Sequence, residues 1–199
     1  MILKAKMPKL YGLVLTGGKS SRMGSDKGLL TYHDRPQREH LYDLASAHCE
    51  KTFYSIREDQ KQSFPENTNM IIDLDDFKGP FNGIMSAHET NEKVAWLVLA
   101  CDLPLLNEES LSVLVAGRDS NKMATSLTLS QSDLPEPLIA IWEPHGLASA
   151  KTYLKRTLGS SPRKFLMDND VKLVAALDDD ALFNANSPEE FEIAKQRIP

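Results

Sequence analysis

The sequence contains only two cysteines, Cys49 and Cys101, and they stand far apart in a chain of 199 residues. This number and spacing exclude a disulfide-rich scaffold and a zinc site built on paired cysteines. No apolar run approaches the length that crosses a bilayer. The first ten residues, MILKAKMPKL, lack the apolar core of a secretory signal. We therefore expect a cytoplasmic protein with reduced thiols.

An excess of positive charge is also missing, because the formal net charge is −5. A chain of this charge has no general affinity for nucleic acid or anionic membranes, so any basic site must be local. No internal repeat, low-complexity tract or Gly/Ser-rich linker divides the chain. We expect one domain over residues 9–199, preceded by a tail of residues 1–8.

Apolar runs alternate with amphipathic segments along the chain. Buried strands are predicted at Lys9–Leu15 and Val94–Asp102, and a helix at Pro36–Cys49. A last helix follows Asn186, because Ser187 and Glu190 have the spacing of a capping box. This alternation predicts an α/β protein with helices on a mostly parallel sheet. Ligands of such sheets bind beyond the carboxyl ends of the strands.

The segment after the first strand, TGGKSSRMGSDK, combines glycines with basic residues. Its glycine spacing matches neither a P-loop nor a dinucleotide-binding fingerprint. Adjacent Gly17 and Gly18 nevertheless let the backbone approach a ligand and present amide groups to an anion. Arg22 and Lys27 add positive charge. The segment therefore predicts a site for a polyphosphate.

Read as a whole, LTGGKSSRMGSDKGLL resembles the signature loop of the MobA-like nucleotidyltransferases, the molybdenum cofactor guanylyltransferase family, with Thr16 where alanine is usual. The segment IIDLDDFKGPFNGI resembles the next element of that family. By this resemblance, Asp73 closes a strand and contacts the nucleoside, and Gly79, Pro80 and Gly83 form a turn beneath it. A third match, WLVLACDLPLL, places an aspartate at the end of a strand.

The resemblance implies a three-layer α/β/α, Rossmann-like nucleotidyltransferase fold (GT-A-like) with a mostly parallel sheet. It also implies that GMP passes from GTP to the terminal phosphate of Mo-molybdopterin, with release of pyrophosphate. Arg22, Lys27 and Asp102 take the catalytic roles, and Asp102 holds Mg²⁺. The implied partners are small-molecule substrates and proteins of molybdenum cofactor biosynthesis or delivery, without nucleic acid or membrane.

Further site residues follow from the same matches. The nucleotide-binding set is Leu15, Thr16, Gly17, Gly18, Lys27, Ser55, Asp73, Gly79, Gly83 and Asp102. Asn184 and Asn186 form the family's N-x-N pair before the last helix. They are expected to bind the acceptor, with the metal as the alternative ligand.

Two alternatives remain open from the residues. Ser55 stands where family members often have asparagine, and together with Thr16 it allows a related enzyme that uses CTP on molybdopterin or on a sugar or alcohol phosphate. The second alternative is a nucleotide-binding module without catalysis. The presence of Asp102, Lys27 and both asparagines, Asn184 and Asn186, argues against that module, because a non-catalytic module needs no metal ligand.

Overall fold

A computed structural model describes residues 6–17, 27–157 and 159–198 of the protein. Within these ranges, seven strands form one sheet in the order β3-β2-β1-β4-β6-β5-β7. The strands are β1 (Leu10–Leu15), β2 (Lys51–Ile56), β3 (Met70–Ile72), β4 (Ala95–Ala100), β5 (Ala124–Thr128), β6 (Ile139–Trp142) and β7 (Lys172–Ala175). Only β6 among them runs antiparallel to its neighbours.

Helices cover both faces of the sheet. They are α1 (Gln37–Ser46), α2 (Pro80–Thr90), α3 (Glu108–Ala116), α4 (Pro144–Arg156), α5 (Pro162–Met167) and α6 (Pro188–Arg197). Because side chains alternate along a strand, Leu97 of β4 joins the core beneath α1 and α3, while Trp96 joins the core beneath α2, α4 and α5. This arrangement confirms the predicted three-layer α/β/α fold with a mostly parallel sheet.

The local predictions agree with the structure in most places. The predicted strand at Val94–Asp102 is β4, which ends two residues earlier, so that Asp102 lies in the turn that follows. The capping box at the start of α6 is confirmed, since the Ser187 side chain accepts from the Glu190 amide and the Glu190 side chain accepts from the Ser187 amide.

The predicted turn through Gly79, Pro80 and Gly83 is wrong in part. Pro80 is the first residue of α2, and Gly83 lies inside that helix. Proline suits the first helical position because its fixed φ is helical and its missing N–H needs no partner there. Only Gly79 keeps a turn conformation, with φ +64°, which favours glycine.

The order of the strands creates a crevice next to β1. The chain continues from β1 to β2 and β3 on one side and places β4 on the other. Such a reversal leaves an opening at the carboxyl ends of the strands, where open α/β sheets bind ligands.

Within the described ranges, none of the helices has the length and the apolar character that a membrane span requires.

Candidate active site

A cavity of about 580 Å³ opens at the carboxyl ends of β1 to β4. Most of the predicted site residues within the described ranges line it. Those that do are Leu15, Thr16, Gly17, Lys27, Ser55, Asp73, Gly79, Gly83, Asp102 and Asn186. Residues far apart in the sequence therefore share one site.

One end of the cavity is built around Asp73. The Ser55 hydroxyl at the end of β2 donates to Asp73 Oδ1 at 2.6 Å, which fixes the rotation of the carboxylate. The other oxygen, Oδ2, lies against the backbone of Gly17, where an added Cβ would be only 2.5 Å away. Any residue other than glycine at this position would therefore displace the Asp73 carboxylate. Burial raises the pKa of Asp73, while the hydrogen bond from Ser55 acts in the opposite direction.

The start of the glycine loop is held by side chains that follow β2. The Thr16 amide and hydroxyl both donate to the Ser55 carbonyl, at 3.0 and 2.7 Å. Gln60 Nε2 donates to the Thr16 carbonyl at 3.1 Å, and Arg57 Nη1 donates to the Gly17 carbonyl at 2.8 Å. The peptide bond between Thr16 and Gly17 is trans, so its C=O and N–H point in opposite directions. Since the Thr16 carbonyl faces Gln60, the Gly17 N–H points away from Gln60. The loop thus leaves β1 in a fixed orientation.

The other end of the cavity carries Lys27 and Asp102. Lys27 Nζ donates to Asn186 Oδ1 at 2.6 Å. Asp102 Oδ1 is buried and has no hydrogen-bond partner among the residues that the structure describes. Burial raises the pKa of Asp102, and the positive charge of Lys27 lowers it in part. A buried carboxylate oxygen without a donor suits a cation.

The donor set at Asp102 is too small for a metal cage made by the protein alone. In the described ranges, no group of three or more His, Cys, Asp or Glu side chains is placed to hold a metal ion. Mg²⁺ typically binds one or two carboxylates and completes its shell with phosphate oxygens and water. The single carboxylate therefore fits a Mg²⁺ ion that arrives with a phosphorylated substrate.

The sequence of the chain matches one known protein family over most of its length. Residues 12–172 match the model of the MobA-like NTP transferase domain. The chain belongs to this family. This confirms the resemblance first seen in the glycine loop, and with it the expectation that the protein is a nucleotidyltransferase.

Two relatives of this MobA-like chain are similar over nearly all of it. A molybdenum cofactor biosynthesis bifunctional protein from Synechocystis sp. is 37% identical, over 92% of this chain and 52% of that protein. The chain thus spans about half the length of this relative. A molybdenum cofactor guanylyltransferase from Pseudomonas entomophila is 30% identical, over 94% of this chain and 98% of that protein.

A solved structure shares the fold. Molybdopterin-guanine dinucleotide biosynthesis protein A from Archaeoglobus fulgidus superposes with a TM-score of 0.75 at 21% identity, over 94% of this chain and 97% of that one. Identity this low supports the shared architecture and nothing finer.

One predicted residue of the MobA-like site lies within the described ranges but away from the cavity. Asn184 is not among the residues that line the cavity. Gly18 and Arg22 lie outside the described residues. The roles of all the site residues stay predictions.

Several lining residues were missed by the sequence analysis. Arg57 could have been found by strand alternation, because it follows Ser55 by two positions and so continues the same side of β2. Asn82 in α2 donates to Asp75 Oδ1 at 3.1 Å and accepts from the Phe77 amide at 3.3 Å. It thereby ties the loop after β3 to the helix, and no pattern in the sequence indicates that contact.

Proposed function

We propose that this MobA-like protein transfers GMP from GTP to the terminal phosphate of Mo-molybdopterin and releases pyrophosphate. One observation carries the proposal: a single cavity holds the Asp73 carboxylate at one end and Lys27 with Asp102 at the other. Relatives that share nearly the whole chain bear the name molybdenum cofactor guanylyltransferase. These names favour the guanylyltransferase over the CTP-dependent and non-catalytic alternatives.

Asp73 is the proposed contact for the base. Guanine presents N–H donors at N1 and N2, and an ionised carboxylate is purely an acceptor with two oxygens. The Ser55 hydroxyl donates one hydrogen bond to Asp73 Oδ1. We expect this bond to orient the carboxylate toward the base. Cytosine offers a single amino donor on the corresponding edge, so the same carboxylate favours guanine.

The phosphates of GTP are assigned to Lys27, Arg22 and the amides that follow Leu15. Lys27 places a positive charge at the phosphate end of the cavity, and Asp102 would hold Mg²⁺ there. When bound, Mg²⁺ supplies further neutralisation of the phosphate oxygens. Asp102 Oδ1 has no donor in the part of the chain that the structure describes. This supports the assignment, because a desolvated carboxylate oxygen without a donor is otherwise unfavourable.

The transfer itself needs no covalent enzyme intermediate. The terminal phosphate of the acceptor is already an anionic nucleophile, and its oxygen forms a bond to the α-phosphorus of GTP. The bond from that phosphorus to the α–β bridging oxygen breaks, and pyrophosphate leaves with the electron pair. The protein contributes alignment of the two substrates and stabilisation of the charge on the α-phosphate and the leaving group.

Thermal unfolding in the presence of Mg²⁺ with GTP, CTP or ATP tests the choice of nucleotide. A ligand that binds the folded state raises the melting temperature, and we expect the largest rise with GTP. The Asp73→Asn variant should lose most of this preference, because an amide presents only one acceptor oxygen. A rise with CTP equal to or larger than that with GTP would replace this proposal by a cytidylyltransferase.

Pyrophosphate release with GTP and Mo-molybdopterin tests catalysis. Lys27→Met and Asp102→Asn should each lower the rate by about 100-fold or more. Asp102→Asn should melt no lower than wild type without nucleotide, since it removes a desolvated charge. Near-normal turnover in either variant contradicts its assigned role. A wild-type protein that binds GTP without releasing pyrophosphate is a nucleotide-binding module.

Besides the roles of the site residues and the Mg²⁺ ion, three further expectations from the sequence remain untested. These are the cytoplasmic location, the partner proteins of molybdenum cofactor biosynthesis or delivery, and the division into a tail of residues 1–8 and one domain of residues 9–199. All three stay predictions.

A further inference from the structure

A short C-terminal segment contacts the backbone of Asp102 and the side chain of Lys27 at the phosphate end of the cavity. The Ala185 amide donates to the Asp102 carbonyl at 2.8 Å, and Asn186 Oδ1 accepts from Lys27 Nζ at 2.6 Å. This segment lies beyond residue 172, where the match to the family domain ends. Part of the site is therefore supplied from outside the matched domain.

The backbone of Asn186 is fixed from two sides. On one side, Glu190 Oε2 accepts from the Asn186 amide at 2.6 Å and from the Ser187 amide at 3.0 Å. On the other side, Ala185 is 1% exposed and packs in a small core with Tyr32 and Ala194. The capping box that begins α6 thus also holds the residue that Lys27 contacts.

An amide is well suited to hold a lysine that must also bind phosphate. The Lys27 ammonium has three donors, and one bond to Asn186 leaves two for phosphate oxygens. Because the amide is neutral, it restricts the ammonium without cancelling its charge, whereas a carboxylate would compete with the phosphates as an ion-pair partner. If the lysine side chain is already immobilised in the free protein, less of its conformational entropy is lost when the ligand binds.

We propose that Asn186 is a positioning residue that holds the Lys27 ammonium at the phosphate end of the cavity, and that Glu190 acts through Asn186. The inference rests on the proposed function and differs from the expected contact between Asn186 and the acceptor. It assigns the start of α6 to nucleotide binding, a step that precedes any contact with the acceptor.

A double-mutant cycle tests the inference through GTP affinity measured without acceptor. Asn186→Ala should weaken GTP binding about fivefold to tenfold, as expected when a lysine side chain is no longer preorganised. In a Lys27→Met background the same substitution should change the affinity by less than about twofold. Unchanged GTP affinity in Asn186→Ala, or an equal loss in both backgrounds, overturns the inference and leaves Asn186 to the acceptor or to the fold.

The two halves of the capping box give a matched control. Glu190→Ala and Ser187→Ala each remove one half and should lower the melting temperature by similar amounts. Only Glu190→Ala removes the acceptor of the Asn186 backbone N–H, so only this variant should also weaken GTP binding. Equal GTP affinities in the two variants would show that Glu190 does not act through Asn186.

A readout without nucleotide separates this inference from the proposed function. ¹⁵N relaxation of the Lys27 ammonium should show greater mobility in Asn186→Ala than in wild type. Failure of wild type to bind GTP contradicts the proposed function. Unchanged mobility of Lys27 contradicts the inference, whatever nucleotide the protein uses.

Discussion

Gly83 is the position where the packing of a helix most directly controls the proposed base site. It lies in α2 with its Cα against the end of β2. A Cβ added there would lie 2.2 Å from Ser55 Oγ and 2.9 Å from Leu15 Cδ2. Ser55 Oγ is the atom that donates to Asp73. The Gly83→Ala substitution should therefore displace the hydroxyl that orients the carboxylate.

The expected cost of Gly83→Ala combines three terms. Alanine favours a helix over glycine by about 1 kcal/mol, which alone would stabilise the protein. Forcing the new methyl group against Ser55 and Leu15 costs about 1–3 kcal/mol through overpacking. Loss of the hydrogen bond from Ser55 to the Asp73 carboxylate costs about 1.5–3 kcal/mol. The free energy of unfolding should fall by roughly 1.5–5 kcal/mol. GTP affinity should fall by about tenfold, since the Asp73 carboxylate is no longer oriented.

Urea unfolding and calorimetric GTP binding measure the two effects. Adding Ser55→Ala to Gly83→Ala removes the nearest clashing atom, so stability should recover in part. GTP affinity should not recover, because Asp73 still lacks its donor; Ser55→Ala alone is the control for that loss. The reasoning is refuted if Gly83→Ala matches wild type in both measurements, or if the double variant is no more stable than Gly83→Ala.

Three further predictions concern buried polar groups. Gln60→Glu removes the donor to the Thr16 carbonyl and should weaken GTP binding about tenfold; unchanged binding would contradict a role of Gln60 in holding the loop. Glu143→Gln breaks the buried pair with Arg118, whose Nε and Nη2 donate to the carboxylate at 2.6 and 3.0 Å, and should lower the free energy of unfolding by about 3–5 kcal/mol in urea titrations. Burial lowers the pKa of His40 from 6.5 to about 4. The unfolded chain therefore takes up the proton first, so stability should be lost as the pH falls from about 6.5 to about 4. This loss should be smaller in His40→Asn, and identical pH profiles would argue against the shift.

Features set by neighbours in the chain could be predicted from the sequence. The strands and the α6 capping box depend on residues within a few positions of each other, so their patterns survive in a single sequence. The glycine loop is such a feature as well, since Gly17 and Lys27 belong to one continuous segment. The α/β class followed from the alternation of these elements.

Contacts between distant segments were decided by the tertiary structure. Lys27 and Asn186 are separated by 159 positions, and no local pattern says that one holds the other. Gly83 was predicted to shape a turn, yet it serves to bring α2 against Ser55. Such contacts depend on how strands are ordered in the sheet and how closely helices pack on it, and those distances arise only when the whole core is assembled.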